Sequence, residues 1–408
     1  MPCFDQNPLY FHIDVNSAFL SWTAVDLLNH GADYDLRMIP SIIGGDQSNR
    51  HGIVLAKSVP AKKYHIETAE PIVDALKKCP DLVIMPPSTN VYKESSRKLM
   101  SLLSTYSPVL EQLSIDECFL DFSMAISDYE SPIAAATIIK DTVYKEFGFT
   151  VNVGISSKKI LAKMASDFQK PNQVHTLFPD EIPRKMWPLP VSDLYMCGKS
   201  ACSVLRKLGI LTIGDLAKSD PSILSAHLKS HGQMLWEFAN GIDDRKISSE
   251  HAPAKGIGTS TTLPSDISSI EEALPVLLKL SDKVSERLRH SDKLANMINV
   301  EIKYADFTSN SRQMQLDTPT NTASAIYQFS CILYKQLWNG NPVRLIGIRS
   351  SKLQDYSEPV QLTLADILVD TPTSDKQRQL EAAIDSIRTK YGSDSIKRAS
   401  MVHKADKK

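Results

Sequence analysis

The chain has 408 residues, 42% of them hydrophobic, and a formal net charge of −1 at pH 7, which allows two to four domains with real cores and excludes a disordered chain. The near-neutral charge argues mildly against a nucleic-acid binder, and six scattered cysteines fit reduced thiols better than disulfides or zinc. A charged-then-apolar leader and an apolar run near ~18 residues are both missing, so the sequence predicts a cytoplasmic protein without a membrane span.

The first predicted element is a strand from Leu9 to Val15 that carries Asp14 at its exit. Asn16 or Ser17 then caps a helix that runs to about Leu28. One acid at a strand end indicates little by itself, but several acids that meet at one place indicate a cation-binding site.

A second acidic strand lies in EQLSIDECFLDFS, residues 111–123, where Asp116 and Glu117 interrupt an apolar run. Strand alternation points the two side chains apart, whereas a bend or hairpin edge would let both reach one site. Two acids among apolar residues are costly to desolvate unless positive charge compensates, and a divalent cation with oxygen ligands would do so. For this pair considered alone, the alternative to a bound cation stays open: one acid is solvated and the other forms a salt bridge.

A third predicted strand, residues 150–155, leads to a serine pair at 156–157 that caps the helix SKKILAKMASDFQKP. Lys159, Lys163 and Lys170 share one face of this segment at spacings of four and seven. Three carboxylates beside a lysine face and two helix N-termini suit a bound metal–polyphosphate. Two metals held in this way can activate a hydroxyl and stabilise a leaving pyrophosphate.

Other elements follow from periodicity, capping and turn residues. Between the two acidic strands, the predicted elements are a helix at PIVDALKKC, a strand at 82–85 and a helix at 90–106. After a proline-containing linker, the predicted elements are a strand at 256–262, a helix at 270–290 with Ser268 and Glu271 as a capping box, and two alternating strands. A helix at 323–338, a strand at 343–351 and a tail helix at 375–391 follow.

Five stretches occur in an order that matches one known family: FHIDVNSAFLSW, GIVLAKSVPAKKYHIETAEPIVDALKKCP, MPPSTNVYKESSRKLM, LSIDECFLDFS and VNVGISSKKILAKMASDFQKPNQ. They resemble the palm of Y-family translesion DNA polymerases of the DinB/UmuC type. The resemblance extends more weakly over nearly all of the first ~355 residues, as judged by motif order. It leaves the branch open, although the order Asp-Val-Asn-Ser-Ala-Phe favours UmuC.

The resemblance implies an α/β (α+β) right-hand polymerase with a ferredoxin-like palm, small fingers, a helical thumb with a helix-hairpin-helix, and a βαββαβ little finger. The implied segments are palm at 1–30 and 72–178, fingers at 31–71, thumb at 179–246, linker at 247–255, little finger at 256–355 and a C-terminal tail at 356–408.

The resemblance also implies the site residues. Asp14, Asp116 and Glu117 are the expected catalytic carboxylates, and with Val15 they are expected to bind two Mg²⁺ ions. The residues expected to contact the incoming dNTP are Phe19, as a steric gate against ribose, together with Ser58, Lys62 and Lys170. The fingers depart from the family pattern, because Val59 stands where tyrosine is frequent and Lys62 where arginine is.

Contacts with primed DNA are expected at Gly198 and Lys199 in the thumb hairpin, where Met196 replaces the first glycine of the usual pattern. In the little finger they are expected at Lys303 and Arg312. The tail sequence PVQLTLAD resembles a peptide that docks on the sliding clamp; its expected contacts are Gln361, Leu362 and Leu364. Ala365 stands where an aromatic is usual, and a plain connector is the alternative.

The function implied is error-prone, template-directed DNA synthesis without proofreading, by a cytoplasmic monomer that uses Mg²⁺ and dNTPs. One alternative is a catalytically inactive relative that binds only DNA or the clamp; loss of any of the three acids would favour it. Another keeps the palm for nucleotide cyclisation, a reaction in which the thumb and little finger have no purpose.

Overall fold

The computed structural model describes residues 8–45, 52–250, 253–358, 372–392 and 395–396. The chain divides into two compact units; within the described residues the first ends at 250 and the second begins at 253. This division falls inside the predicted linker at 247–255. The expected clamp contacts Gln361, Leu362 and Leu364 lie outside the described residues.

The first unit contains most of the helices and strands. In chain order they are β1 (Tyr10–Val15), α1 (Ala18–Asn29), β2 (Ser41–Gly44), β3 (Val54–Lys57), α2 (Val59–Lys62), α3 (Ile72–Lys78), β4 (Val83–Met85), α4 (Thr89–Leu103), β5 (Leu110–Gln112), β6 (Glu117–Asp121), α5 (Pro132–Phe147), β7 (Val151–Ser156), α6 (Lys159–Ser166), β8 (Val174–Thr176), α7 (Ile182–Lys185), α8 (Lys199–Lys207), α9 (Ile213–Lys218), α10 (Pro221–Leu228) and α11 (Ser230–Ala239).

The central sheet of this unit has five strands in the order β5-β6-β1-β7-β8, with β1 antiparallel to both of its neighbours. Alternate β1 side chains such as Phe11 and Ile13 enter a core formed with α1, α4 and α5. The opposite face of β1 carries His12 and Asp14, because successive strand residues point to opposite sides. Helix α6 packs near this second face, where it contacts both β1 and β7.

A smaller three-stranded sheet has the order β3-β2-β4. The prediction that the strand near Leu82–Met85 returns to the palm is wrong, because Val83–Met85 pairs in parallel with Ser41–Gly44 instead. Ile72 of α3 packs in the same small core as Ile42. The small sheet therefore extends beyond the predicted fingers boundary at residue 71.

Two predicted caps differ from the structure. Ser17 stands at the N-terminus of α1 but in the left-handed region, with φ 49°, and its side chain caps nothing. Ser156 and Ser157 do not cap α6, which begins at Lys159. An N-terminal amide of α6, that of Ile160, instead donates to Asp243 Oδ2 at 2.9 Å, so a residue that follows α11 caps α6.

The second unit has a four-stranded sheet in the order β11-β10-β12-β9, and one face of this sheet packs on two helices. Its elements are β9 (Gly256–Ile267), α12 (Ile270–His290), β10 (Lys293–Tyr304), β11 (Ser309–Thr320), α13 (Ala323–Leu337), β12 (Val343–Asp355) and α14 (Pro372–Tyr391). The predicted βαββαβ order is present. The N-cap of α12 is Ser269, whose hydroxyl accepts from the amide of Glu272, while the Glu272 carboxylate accepts from the amide of Ser268. The predicted capping box of Ser268 and Glu271 is therefore wrong, and the cap lies one residue later.

Helix α14 is attached to this unit by ion pairs: Arg289 of α12 contacts both Glu381 and Asp385. Glu381 also accepts a hydrogen bond from the backbone N–H of Ala323, at the start of α13. In the part of the chain that the structure describes, no helix is both long enough and apolar enough to cross a bilayer.

The position of α6 depends on Gly154 of β7. A Cβ at this residue would lie 2.0 Å from the carbonyl oxygen of Ala162 and 2.4 Å from the amide nitrogen of Ser166, both of which are backbone atoms of α6. Glycine therefore allows the helix to approach the sheet at this point.

We expect Gly154→Ala to lower the free energy of unfolding by about 3 kcal/mol, because a backbone clash cannot be relieved by turning a side chain. Urea unfolding followed by circular dichroism measures the change. Gly198→Ala is the matched control, because a Cβ there meets nothing within 4 Å. Equal stability of the two variants would contradict the packing argument.

Candidate active site

The segment between β5 and β6 is a tight hairpin that presents both predicted acids. The backbone amides of Leu113 and Ser114 both donate to the carbonyl oxygen of Glu117, at 3.0 and 3.2 Å. Asp116 lies in the turn and Glu117 is the first residue of β6. The structure therefore has the hairpin edge that the sequence left open as an alternative to plain strand alternation.

Strand pairing brings these acids to Asp14. Asp14 is directly opposite Glu117 in the register of β1 and β6. The amide of Val15 donates to the carbonyl oxygen of Asp116 at 3.0 Å, which holds the turn against the end of β1. Because the pairing involves the backbone, the three carboxylates are held together whatever their charge.

Two lysines bring positive charge to these acids. Lys163 Nζ lies 2.6 Å from Glu117 Oε2 and 3.4 Å from both Asp14 Oδ2 and Asp167 Oδ2. Lys170 Nζ lies 3.0 Å from Asp14 Oδ1 and 2.8 Å from Asp167 Oδ1. Burial alone would lower the pKa of Lys163, but the surrounding carboxylates outweigh it and raise this pKa, so the ammonium form persists.

Glu117 is ionised over the whole physiological range. Burial by itself would raise its pKa, but contacts with His12 and Lys163 outweigh burial and lower the pKa to about 2. His12 is fully buried, and this burial lowers its pKa. Both neighbours approach the same oxygen, Oε2.

Asp116 shows the opposite shift. Burial, followed by the charges of Asp14 and Glu117, raises its pKa, although a hydrogen bond from Ser114 Oγ to Asp116 Oδ1 at 2.6 Å opposes the rise. A cation near Asp116 would relieve this crowding of like charges.

The donors at this site fit a hard divalent cation. All three candidate side chains are carboxylates, the ligands that Mg²⁺ prefers. Glu117 Oε1 and Asp116 Oδ2 have no partner among the residues described here. Among the described residues, no group of three acidic, histidine or cysteine side chains is arranged to hold a metal, and the Lys163 ammonium contacts both Asp14 and Glu117.

Three residues at the site were not predicted as site residues: His12, Ser114 and Lys163. His12 is two residues before Asp14, so strand alternation was the signal that placed both on one face. Lys163 was recognised only as a member of a basic helical face. Its contact with Glu117 depends on how α6 packs on the sheet.

The expected nucleotide contacts occupy three different environments. The Phe19 ring stacks on Tyr92 with centroids 4.6 Å apart, and is partly buried beside α4. Lys62 is exposed at the last turn of α2. Ser58 is 1% exposed, and its hydroxyl accepts from the amides of Ser41 and Ala61 and donates to a carbonyl oxygen. Ser58 therefore caps α2, and its side chain is not free to bind a triphosphate.

The expected thumb contacts lie at a helix N-terminus. Gly198 is the N-cap of α8, and Lys199 is exposed at the first turn. Met196 adopts φ 69°, a conformation that glycine reaches without strain. Gly198 and Lys199 border an open cavity of about 660 Å³ whose lining also includes Arg206 and Lys207.

The two expected little-finger contacts lie on opposite faces of the sheet. Arg312 pairs with Val300, whose side chain is buried against the helices, whereas Lys303 alternates to the open face. Cross-strand partners share a face, so Arg312 does not join Lys303. Arg349, paired with Asn299, is an arginine on the open face that the sequence reasoning missed.

Comparisons with known proteins match both units. A model described as the impB/mucB/samB family matches residues 13–167, and the model of its C-terminal domain matches residues 254–364. DNA polymerase IV of Clostridium acetobutylicum is 44% identical over 397 residues, covering 97% of this chain and 99% of the relative. DNA polymerase IV of Clostridium kluyveri is 36% identical over 400 residues, covering 97% and 98%.

One solved structure similar to this chain is a Y-family DNA polymerase chimera. It covers 85% of this chain and 99% of its own length, with a TM-score of 0.72 and 20% sequence identity. At this identity the likeness concerns the fold, and it confirms the predicted right-hand polymerase architecture. The relatives' name, DNA polymerase IV, favours the DinB branch over the UmuC branch that the Asp14–Phe19 segment suggested.

Acid titration tests the charge balance at Glu117. Its folded-state pKa is below the ordinary 4.5, so the ionised form stabilises the fold at neutral pH, and this contribution is lost as the pH falls from about 4.5 to about 2. We expect Glu117→Gln to cost roughly 3 kcal/mol at pH 7 and about half as much at pH 3. Urea unfolding in the presence of a chelator measures both values. A cost independent of pH would contradict the shift.

Proposed function

The chain belongs to the impB/mucB/samB family of Y-family DNA polymerases, and on that premise we propose that Asp14, Asp116 and Glu117 form its catalytic metal site. The protein is a DNA-directed DNA polymerase that carries out translesion synthesis on a DNA template with dNTPs. The observation that carries the proposal is the meeting of three carboxylates and two lysines at the end of β1.

Within this site we assign two Mg²⁺ ions to the three carboxylates, with Val15 as a further ligand through its backbone carbonyl. The ions would activate the primer 3′-hydroxyl and stabilise the leaving pyrophosphate. Glu117 Oε1 and Asp116 Oδ2 are the oxygens that we assign to them, because the other oxygen of each carboxylate already accepts a protein hydrogen bond.

Lys170 and Lys62 are the proposed triphosphate ligands. Lys170 contacts Asp14 directly, so a phosphate beside the metals would lie within reach of its ammonium group. Lys62 is exposed and free to approach from the fingers. A lysine neutralises phosphate as a point charge, without the two-pronged hydrogen bonding of arginine.

For primed DNA we propose contacts at Gly198 and Lys199 in the thumb and at Lys303 in the little finger. Arg349 shares the open face of the sheet with Lys303 and replaces Arg312 in this proposal. Amides at a helix N-terminus and basic side chains bind phosphates without reading sequence, which suits a polymerase.

The inactive alternative is disfavoured, because none of the three acids is lost and extensively similar relatives are named as polymerases. Monomeric action and a cytoplasmic location, where chromosomal DNA is found, are part of the proposal. Clamp docking through Gln361, Leu362 and Leu364 stays a prediction from the sequence.

Removal of a single proposed metal ligand tests the assignment. Asp14→Ala, Asp116→Ala and Glu117→Ala should each lower primer extension by about a thousandfold or more, while DNA affinity changes little, because the carboxylates act on the reacting phosphate. Extension assays and DNA-binding titrations measure the two effects. Asp128→Ala, which removes an exposed acid away from the site, is the control. Near-normal extension by Asp116→Ala would refute the metal site.

Sugar selectivity tests the role of Phe19. If its ring blocks a ribose 2′-hydroxyl, Phe19→Ala should raise ribonucleotide incorporation relative to the deoxy substrate about a hundredfold, corresponding to a clash of ~3 kcal/mol. Single-nucleotide extension with matched rNTP and dNTP measures this ratio. Tyr92→Phe keeps the aromatic stack and should leave the ratio unchanged. Equal loss of both activities would instead identify Phe19 as a packing residue.

A further inference from the structure

His12 is a fully buried histidine whose ring lies beside the carboxylate cluster. It is on β1, two residues before Asp14, and its cross-strand neighbours are Phe119 and Gly154. The ring packs edge-on against Phe119, with centroids 4.7 Å apart. Because Gly154 has no side chain, α6 can cover the ring from the other side.

Each ring nitrogen of His12 faces one polar atom. Nδ1 lies 2.8 Å from Ser166 Oγ on α6. Nε2 lies 3.3 Å from Glu117 Oε2, and no hydrogen bond of good geometry satisfies Nε2 within the described residues. A buried polar nitrogen without a partner destabilises the fold, and the polar atom that Nε2 faces is the carboxylate oxygen Glu117 Oε2.

The two neighbours of Glu117 Oε2 differ in rigidity. Lys163 reaches it at 2.6 Å with a flexible four-carbon side chain that also contacts Asp14 and Asp167. His12 is held by a central strand, by Phe119 and by Ser166, so its ring cannot follow a moving carboxylate. The rigid neighbour that can orient the Glu117 carboxylate is therefore the His12 imidazole.

We propose that His12 is a positioning residue for the catalytic reaction: in the tautomer that carries the ring proton on Nε2, with Ser166 Oγ donating to Nδ1, Nε2–H donates towards Glu117 Oε2 and turns Oε1 towards the other two carboxylates. The inference rests on the proposed metal site and adds a residue that contacts neither substrate nor metal. Side chains that orient a metal ligand typically contribute 10–100-fold to metal affinity or activity. Without that contact, the carboxylate would have to be ordered each time a cation binds.

Metal binding measured without catalysis tests the proposal. The full-length protein is combined with primed DNA whose primer ends in a dideoxynucleotide and with the matching dNTP, so that no bond forms. Calorimetric titration with Mn²⁺ then gives the binding midpoint. His12→Leu should raise this midpoint about tenfold or more, whereas His12→Gln, which keeps a side-chain N–H of similar reach, should recover most of the wild-type affinity.

Ser166→Ala provides an independent variant, since it leaves the imidazole in place but removes the partner of Nδ1. A rise of about two- to fivefold is expected, because the ring gains freedom to turn. This variant and His12→Gln decide the question if His12→Leu does not fold. Ile155→Val, a conservative change in a buried residue on the opposite face of β7, is the control for packing and should leave the midpoint unchanged.

Steady-state extension gives a second measurement. His12→Leu should lower kcat about tenfold or more, with the KM for dNTP and the affinity for DNA nearly unchanged. A midpoint for His12→Leu equal to that of Ile155→Val, or a His12→Gln variant as defective as His12→Leu, would overturn the positioning role. If the proposed metal site is itself wrong, the result differs: Glu117→Gln would then bind Mn²⁺ with the wild-type midpoint and extend primers normally.

Discussion

Three carboxylates repel one another at one end of the central sheet, and other elements of the first unit must offset this repulsion. Backbone pairing fixes Asp14, Asp116 and Glu117 together, so they cannot separate when ionised. Positive charge must therefore come from an element that lies against the sheet. Helix α6 and the residues after it supply Lys163 and Lys170, and this is why the close approach of α6 at Gly154 matters for chemistry as well as for packing.

Much of the fold could be predicted from the sequence, because hydrophobic periodicity identifies an element within its own segment. The helix Ile270–His290 and the alternating pattern of the strand that follows it were predicted correctly. Pairing partners were harder to predict. A short apolar run indicates that Val83–Met85 is a strand, but the run carries no information on whether the neighbouring strand is β2 or a strand of the central sheet. Adjacent serines and glutamates likewise made the N-cap of α12 ambiguous by one residue.

The candidate site was predicted in part. Acids inside apolar runs are conspicuous, and the structure brings all three together. A histidine in a buried strand resembles a core residue, and a lysine on a helix resembles a surface residue. Strand alternation places His12 on the face of Asp14, but the contacts of His12 and Lys163 with Glu117 depend on the packing of the sheet and α6. Ser58 shows the reverse error, since a serine that aligns with a ligand position is used to cap a helix. The face occupied by Arg312 follows from register, which composition does not determine.

The three acids also differ in which positive charge an incoming cation must displace. At Glu117 the pKa lies near 2 and Lys163 stays protonated, so a cation competes there with an ammonium group and not with a proton. At Asp116 the raised pKa means that a cation competes with a proton as the pH falls. A site whose acids were all strongly stabilised by lysines would bind metal at every pH, but only by displacing those lysines. Asp116 has no lysine partner among the residues that the structure describes, so it is the carboxylate that a divalent cation would stabilise most.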